Sequence, residues 1–260
     1  MDYQFTIKPI AYTDGGRYSG YTLESILPFV GGGITVFEKQ FFFDLYLQKA
    51  FSGSDETSNF YEGDSDSSRT SNEKINSDFE RDELSLSVGY AVGNQGALFL
   101  GYRRSTTNFI DIFTKTGTYS NNSVFTENGT RDIGLKQSGY FLGGAYAFPI
   151  SEQTAITLNA ALAFLDGEYD VRFLSVRVSS TNDSEETDDD AARYDGDTVG
   201  LNLGVSWKGR MFESVDYTLG LDGSSYDFDF ENRDEFESIE TTPKISESVI
   251  RLSAGLSYQF

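Results

Sequence analysis

The residues of this chain best suited to chemistry are its carboxylates. The sequence has 41 aspartates and glutamates against 20 lysines and arginines, a formal net charge of -21, and it has neither histidine nor cysteine. Without histidine the usual general base near neutral pH is absent, and without cysteine there is neither a thiol nucleophile nor a disulfide framework. Paired carboxylates could act as acid and base, but no spacing in the sequence fixes such a pair. We therefore predict that the protein is not an enzyme, that it needs no cofactor, and that so acidic a surface does not bind nucleic acid.

The densest acidic cluster lies between residues 183 and 190. Its carboxylates are those of Asp183, Glu185, Glu186, Asp188, Asp189 and Asp190. Carboxylate oxygens are the ligands that calcium and magnesium prefer, yet the cluster lacks the central glycine of an EF-hand loop. Two interpretations stay open: a solvated loop whose charges are screened by water and salt, or a divalent-cation site that orders the loop.

The acidic residues are concentrated in three polar segments. Residues 52–82 carry a net charge of -6, and residues 178–198 and 222–247 carry -7 each, which leaves -1 for the rest of the chain. In that nearly neutral remainder, apolar and polar residues alternate. The clearest case ends the chain, where every second residue is apolar: Ile250, Leu252, Ala254, Leu256, Tyr258 and Phe260. Such alternation predicts β-strands that have a different environment on each face.

The alternating segments predict ten strands in a single domain, 1–260. The first four lie at 3–8, within 18–37, at 41–48 and at 82–92. The fifth begins at 97 and the sixth ends at 148. The last four lie at 156–164, 198–207, 214–222 and 250–260. The connections after the third, fifth, seventh and ninth strands are long and polar, whereas those after the second, fourth, sixth and eighth are short. Aromatic residues flank the short connections: Phe37, Phe41, Phe148, Trp207, Phe212, Tyr258 and Phe260. A soluble β-sandwich, the alternative fold, has no reason to place these long connections at one end.

In these features the chain resembles the outer-membrane β-barrel proteins of Gram-negative bacteria, whose last strand typically ends in phenylalanine after alternating apolar residues. The resemblance implies an all-β, transmembrane, antiparallel up-and-down β-barrel with long acidic outer loops and short periplasmic turns. Ten strands are expected, with eight or twelve as alternatives. The resemblance also implies that Tyr258 and Phe260 belong to the signal read by the outer-membrane assembly machinery. Because an exported protein needs a secretion signal and none opens this sequence, we expect the given chain to be the mature form of an integral outer-membrane protein; a cytosolic protein is the alternative.

Seven charged residues are expected to face the barrel lumen: Lys8, Asp44, Glu83, Arg103, Asp216, Asp222 and Arg251. In a barrel of about this size they either pair into a polar plug or line a narrow water-filled path. The expected function is a porin-like, narrow passive channel for ions or small solutes. The alternative is a non-conducting surface-interaction or structural barrel that makes adhesion or envelope contacts through its long acidic loops. The expected partners are the lipid bilayer, lipopolysaccharide, the assembly machinery and, at the acidic cluster, divalent cations that could bridge it to lipopolysaccharide phosphates.

Overall fold

The computed structural model describes residues 2–8, 21–62, 70–118, 122–179, 185–232 and 244–258. Nearly all of them lie in one antiparallel sheet, which confirms the prediction of an all-β fold. Its eleven strands are β1 (Asp2–Lys8), β2 (Tyr21–Ile26), β3 (Phe29–Glu38), β4 (Phe41–Glu62), β5 (Thr70–Val92), β6 (Gly96–Thr118), β7 (Val124–Pro149), β8 (Thr154–Ser179), β9 (Glu185–Phe212), β10 (Val215–Asn232) and β11 (Lys244–Tyr258). None of the described residues belongs to a helix that could cross a membrane.

The sheet is strongly curled, and its two outermost strands are neighbours in the sequence. The strand order is β2-β1-β11-β10-β9-β8-β7-β6-β5-β4-β3. Only Leu27 and Pro28 separate β2, which pairs with β1, from β3, which pairs with β4. The predicted second strand is thus one segment interrupted at Pro28, since proline has no backbone N–H to donate to the ladder. Counted as one strand, β2 and β3 give the ten that the sequence predicts.

The strands are much longer than the sequence predicts. β5 has 23 residues and β9 has 28. The prediction of long polar loops is therefore wrong in large part. It places them at 52–81, up to about Asp132, around 183–190 and at about 223–246. β4 continues to Glu62, β6 to Thr118, β8 to Ser179 and β10 to Asn232, and each pairs with the strand that follows. The backbone groups of these polar segments are satisfied in the ladder, so their side chains need not be apolar for a strand to form.

Short turns join β3 to β4, β5 to β6, β7 to β8 and β9 to β10, and we call this edge the turn end and the opposite edge the distal end. Along β5 the even-numbered side chains point outward, and they change from apolar near the turn end to polar near the distal end: Leu84, Leu86 and Val88, then Asn76, Asp78 and Glu80. The odd-numbered side chains point inward and change in the opposite sense: Ser85 and Ser87, then the buried Ile75 and Phe79. The apolar and polar side chains exchange faces in the same way on other strands, between Phe164 and Leu165 on β8 and between Val249 and Ile250 on β11.

The inversion divides the sheet into two zones. In the belt zone, next to the turn end, an apolar belt covers the outer face; its leucines are 38% to 76% exposed and include Leu45, Leu86, Leu100, Leu142, Leu158, Leu203, Leu219 and Leu252. In the distal zone the outer face is mainly polar, and an apolar core fills the concave side; it includes Phe79, Phe109, Leu135, Leu165, Tyr194, Phe228 and Ile245. The two zones therefore have opposite polarity on both of their faces.

Inside the belt zone, aromatic rings lie over glycines of neighbouring strands. A methyl group at Gly89 would come within about 2.0 Å of the Phe42 ring, and one at Gly143 within 2.4 Å of the Phe99 ring. Gly101 is covered in the same way by Phe141. Only glycine leaves room for the rings at these positions. The fit of each ring over its glycine fixes the register of the strands there.

Candidate functional site: a polar layer across the interior

A layer of charged and polar side chains crosses the interior at the level where the two zones meet. Its charged members are Arg81 and Glu83 on β5, Arg103 on β6, Asp222 on β10, and Glu247 and Arg251 on β11. The odd-numbered residues of β5, β6 and β11 and the even-numbered residues of β10 face inward, so the phase of each strand places these side chains on the concave side. We call this group the polar layer.

The centre of the polar layer is the salt bridge between Arg81 and Glu247, which joins β5 to β11 although β6 to β10 lie between them in the sheet. The two side chains are 1% and 0% exposed. Gln137 Nε2 donates a hydrogen bond to Glu247 Oε2 at 2.6 Å, and Arg81 Nη1 donates one to Thr107 Oγ1 at 2.6 Å. Further hydrogen bonds offset part of the cost of burying an ion pair, and each of these two ions has one such neutral partner.

A second set of ion pairs continues the layer towards the turn end. Glu83 Oε2 lies 3.0 Å from Arg103 Nη2 and 3.7 Å from Arg251 Nη1. Arg251 Nε also donates to Asp222 Oδ1 at 2.8 Å, and Arg103 donates to the hydroxyl of Tyr226. The three arginines and three carboxylates of the polar layer balance in formal charge. The layer therefore offers no excess charge to draw an ion of either sign into the interior.

On the distal side of the polar layer, the interior is filled by the apolar core. The rings of Phe79 and Phe109 have centroids 4.7 Å apart, and both side chains are buried. Among the buried acids that lie still more distally, Asp111 pairs with Arg131 at 3.4 Å and Glu127 with Arg177 at 2.9 Å. In this part of the chain the concave side contains packed side chains and paired charges.

Four of the seven predicted lumen residues meet in the polar layer: Glu83, Arg103, Asp222 and Arg251. Asp44 and Asp216 lie elsewhere. Asp44 accepts a hydrogen bond from Thr35 at 2.6 Å, and Asp216 pairs with Arg210 at 3.2 Å. The side chain of Lys8 lies outside the described residues, as does Phe260, whereas Tyr258 is exposed at the end of β11.

Sequence reasoning missed the two most buried members of the layer, Arg81 and Glu247. Arg81 falls in the loop predicted at 52–81, and Glu247 lies between the loop predicted at about 223–246 and the strand predicted from 250. The available signal was the phase of the neighbouring strands: Arg81 continues the inward set of Glu83, and Glu247 precedes the inward Arg251 by four residues.

The acidic cluster lies on β9 rather than in a loop from Glu185 onwards. Successive residues of a strand point to opposite faces, so the neighbours Glu185 and Glu186 do not converge. Glu186 pairs with Arg177 at 3.3 Å and Asp189 with Arg172 at 3.2 Å. Among the described residues no group of three or more carboxylates is placed to hold a metal ion. Since Asp183 and the side chain of Asp190 lie outside those residues, the cation site stays a prediction.

No family model matches this sequence in a scan of protein families, and a search of curated proteins gives no match either. The function must therefore be argued from the geometry alone. That geometry joins opposite walls of the curled sheet by charge-assisted hydrogen bonds, which are the stronger kind. It also fills the concave side from the polar layer towards the distal end.

Proposed function

We propose that this protein is an integral β-barrel of a bacterial outer membrane, with its belt zone in the lipid, its distal zone in water outside the cell, and its interior closed. It acts through the outer surface of the distal zone, as a surface-interaction or structural barrel. The apolar belt is the observation that carries the proposal. Contiguous apolar surface of this extent is unfavourable on a monomer in water and is the expected outer face of a strand wall in lipid.

The dimensions of the belt support this proposal. On β9 the alternating outward residues run from Val199 to Trp207, nine residues, and a transmembrane strand needs roughly 9–11. Exposed aromatic residues border the belt at the turn end: Phe37, Phe41, Phe148, Trp207, Phe212 and Tyr258. A second aromatic border lies at the other edge, where Tyr102, Tyr140 and Phe164 occupy one cross-strand row. Aromatic girdles at both lipid interfaces are typical of such barrels.

The polar layer and the apolar core support the closed state over the porin-like channel. A solute crossing the interior would have to separate the Arg81–Glu247 pair and then pass through the packed rings of Phe79 and Phe109. Leaving either ion unpaired in a buried site costs several kcal/mol, about 3–5. An interior that conducts solutes would not be expected to contain either a buried ion pair or packed aromatic rings across its path.

Two measurements test the proposal separately. Produced with a secretion signal in a Gram-negative host, the protein is expected in the outer-membrane fraction, with a folded form that migrates differently from the boiled form on a denaturing gel. Recovery as a soluble monomer without detergent contradicts the membrane assignment. In planar lipid bilayers the folded protein is expected to be silent, and a reproducible, salt-dependent open level supports the channel instead.

A further inference from the structure

The outer face of the distal zone has an open basin of about 740 Å³ across β5 to β9. Its floor is a cross-strand row with Gly134 in the middle, between Asn108 of β6 and Asp170 of β8. A Cβ atom at Gly134 would meet only the Asn108 Oδ1 at 3.7 Å and the Asp170 Cβ at 3.9 Å, both ordinary contacts. No neighbour requires glycine here, so the missing side chain leaves space in the surface. We call this surface the outer basin.

Carboxylates outnumber cations in the lining of the outer basin, although one of them, Asp132, is the cross-strand neighbour of Arg172 and interacts with it electrostatically. Asp78, Glu80 and Asp132 form no salt bridge within the described part of the chain. The cations on the other side of the basin are already paired, Arg172 with Asp189 and Arg193 with Glu168 and Asp170. Asp78 and Asp132 lie on either side of Ile110 in one row. Their strands are two ladder spacings apart, roughly 9–10 Å, so a cation above Ile110 would be attracted by both carboxylates.

Apolar side chains continue from the basin towards the distal end. Ile110 and Ile112 are 48% and 53% exposed, and Leu174 is 41% exposed. Ile112 and Leu174 share a row, with Thr130 between them. These residues lie in the distal zone, beyond the polar side chains that border the belt, so lipid contact does not explain them. An apolar patch rimmed by polar residues outside the belt is typical of a protein-binding surface.

We propose that the outer basin docks an extended segment of a partner protein or peptide in which basic and apolar side chains alternate. The apolar side chains pack on Ile110, Ile112 and Leu174, while the basic ones enter the basin and pair with Asp78, Asp132 and Glu80. Alternation suits the surface because Ile110 lies between Asp78 and Asp132 in one row of the sheet, while Ile112 and Leu174 share the next outward-facing row. The choice of a basic partner follows from charge complementarity. The inference rests on the proposed function, since it needs the distal zone to be in water, and it names the class of partner.

The test uses the full chain folded in detergent and a fluorescent twelve-residue peptide of alternating lysine and valine. Binding is followed by fluorescence anisotropy. Two control peptides each lack one feature of the proposed partner: a glutamate–valine peptide lacks the basic side chains, and a lysine–serine peptide lacks the apolar ones. The double variant Asp78→Asn/Asp132→Asn is expected to weaken binding at least tenfold. The matched control Asp166→Asn/Asp197→Asn removes the same charge from the outer face of β8 and β9, and should change affinity less than twofold.

A second variant tests the shape of the basin without changing its charge. Gly134→Trp fills the basin, has room for its Cβ, and is expected to abolish binding of the lysine–valine peptide. Equal losses in the two aspartate double variants would show attraction to net charge alone and overturn the proposal. Equal binding of the lysine–serine peptide would overturn it too, as would calcium binding at these aspartates without peptide binding. Because outer-membrane location and gel migration are read independently, a correctly inserted barrel that fails to bind overturns the docking inference and leaves the proposed function standing.

Discussion

Removing Glu247 is the sharpest test of the polar layer. In Glu247→Ala, Arg81 stays buried and loses its salt bridge to Glu247, while it keeps the hydrogen bond to Thr107 and a 4.0 Å approach to Glu83. Gln137 also loses the carboxylate oxygen that accepts its 2.6 Å hydrogen bond. Breaking a buried ion pair by removing one partner costs about 3–5 kcal/mol, and the orphaned amide adds about 1–3 kcal/mol where no water reaches it. We expect the free energy of unfolding to fall by at least about 4 kcal/mol.

The double variant Arg81→Met/Glu247→Leu removes both charges and keeps similar volume. Since replacing a whole buried pair by apolar residues is often neutral or stabilising, the double variant should be more stable than the single one by at least about 2 kcal/mol. Unfolding in urea with lipid vesicles, followed by the fluorescence of the single tryptophan, Trp207, measures both. Ser248→Ala, an outward change next to Glu247 on β11, is the control and should stay within about 0.5 kcal/mol of the native protein. If the single variant is as stable as the double variant, Glu247 is not the buried partner of Arg81 and the description of the layer is wrong.

Four other measurements address the belt, assembly, pH and metal binding. Leu203→Arg, on the outer face of the belt, should cost about 2–4 kcal/mol of stability in lipid, whereas Asn202→Arg, which points inward, should be far milder; equal costs measured by urea unfolding would rule out a wall between two solvents. Deleting Phe260 should slow insertion in cells and leave unfolded chain in the periplasm, and normal insertion in a pulse-chase experiment would remove the basis of the family resemblance. Hydrogen bonds from two neighbouring cations lower the pKa of Glu168 from 4.5 to about 2, so its contribution to stability is complete above about pH 4.5 and is lost only as the pH falls towards 2; a carboxyl titration by NMR with its midpoint near 4.5 would contradict this. Calcium at millimolar concentration should raise amide protection in residues 183–190, reversibly with chelator, and unchanged protection in the presence of lipopolysaccharide would leave those acids as a solvated surface.

The sequence predicted the belt zone well and the distal zone poorly, for one physical reason. In the belt zone a strand such as Val199–Trp207 alternates strictly, because one face is apolar and the other is small or polar. In the distal zone the inward set of β5 mixes Ile75 and Phe79 with Glu73, Ser77 and Arg81. The outward set there is polar as well. With polar residues on both faces the period of two is faint, so the sequence predicts loops in these segments.

The polar layer was only partly predictable because it depends on contacts between distant strands. Glu83 and Arg251 were identified from the phase of their own strands, which is local information. The pairing of Arg81 with Glu247 joins positions 166 residues apart in the sequence, and it depends on how tightly the sheet curls. Curl and stagger are properties of the whole set of paired strands and are not encoded in any one of them.

The position of the polar layer follows from the inversion of polarity along the strands. On β11, the outer face changes from polar to apolar between Ser248 and Ile250, and the inner face changes from apolar to polar between Val249 and Arg251. Both changes occur at one level, so the inward residues there border an apolar core on one side and the small side chains of the belt zone on the other. Charges at this level are protected from water on the distal side, which strengthens their mutual attraction and also makes an unpaired member costly. In the proposed orientation this level coincides with the outer edge of the lipid. The proposed closure of the interior would then lie where the wall leaves the membrane. Any solute-conducting state would have to break the most buried ion pair of the polar layer first.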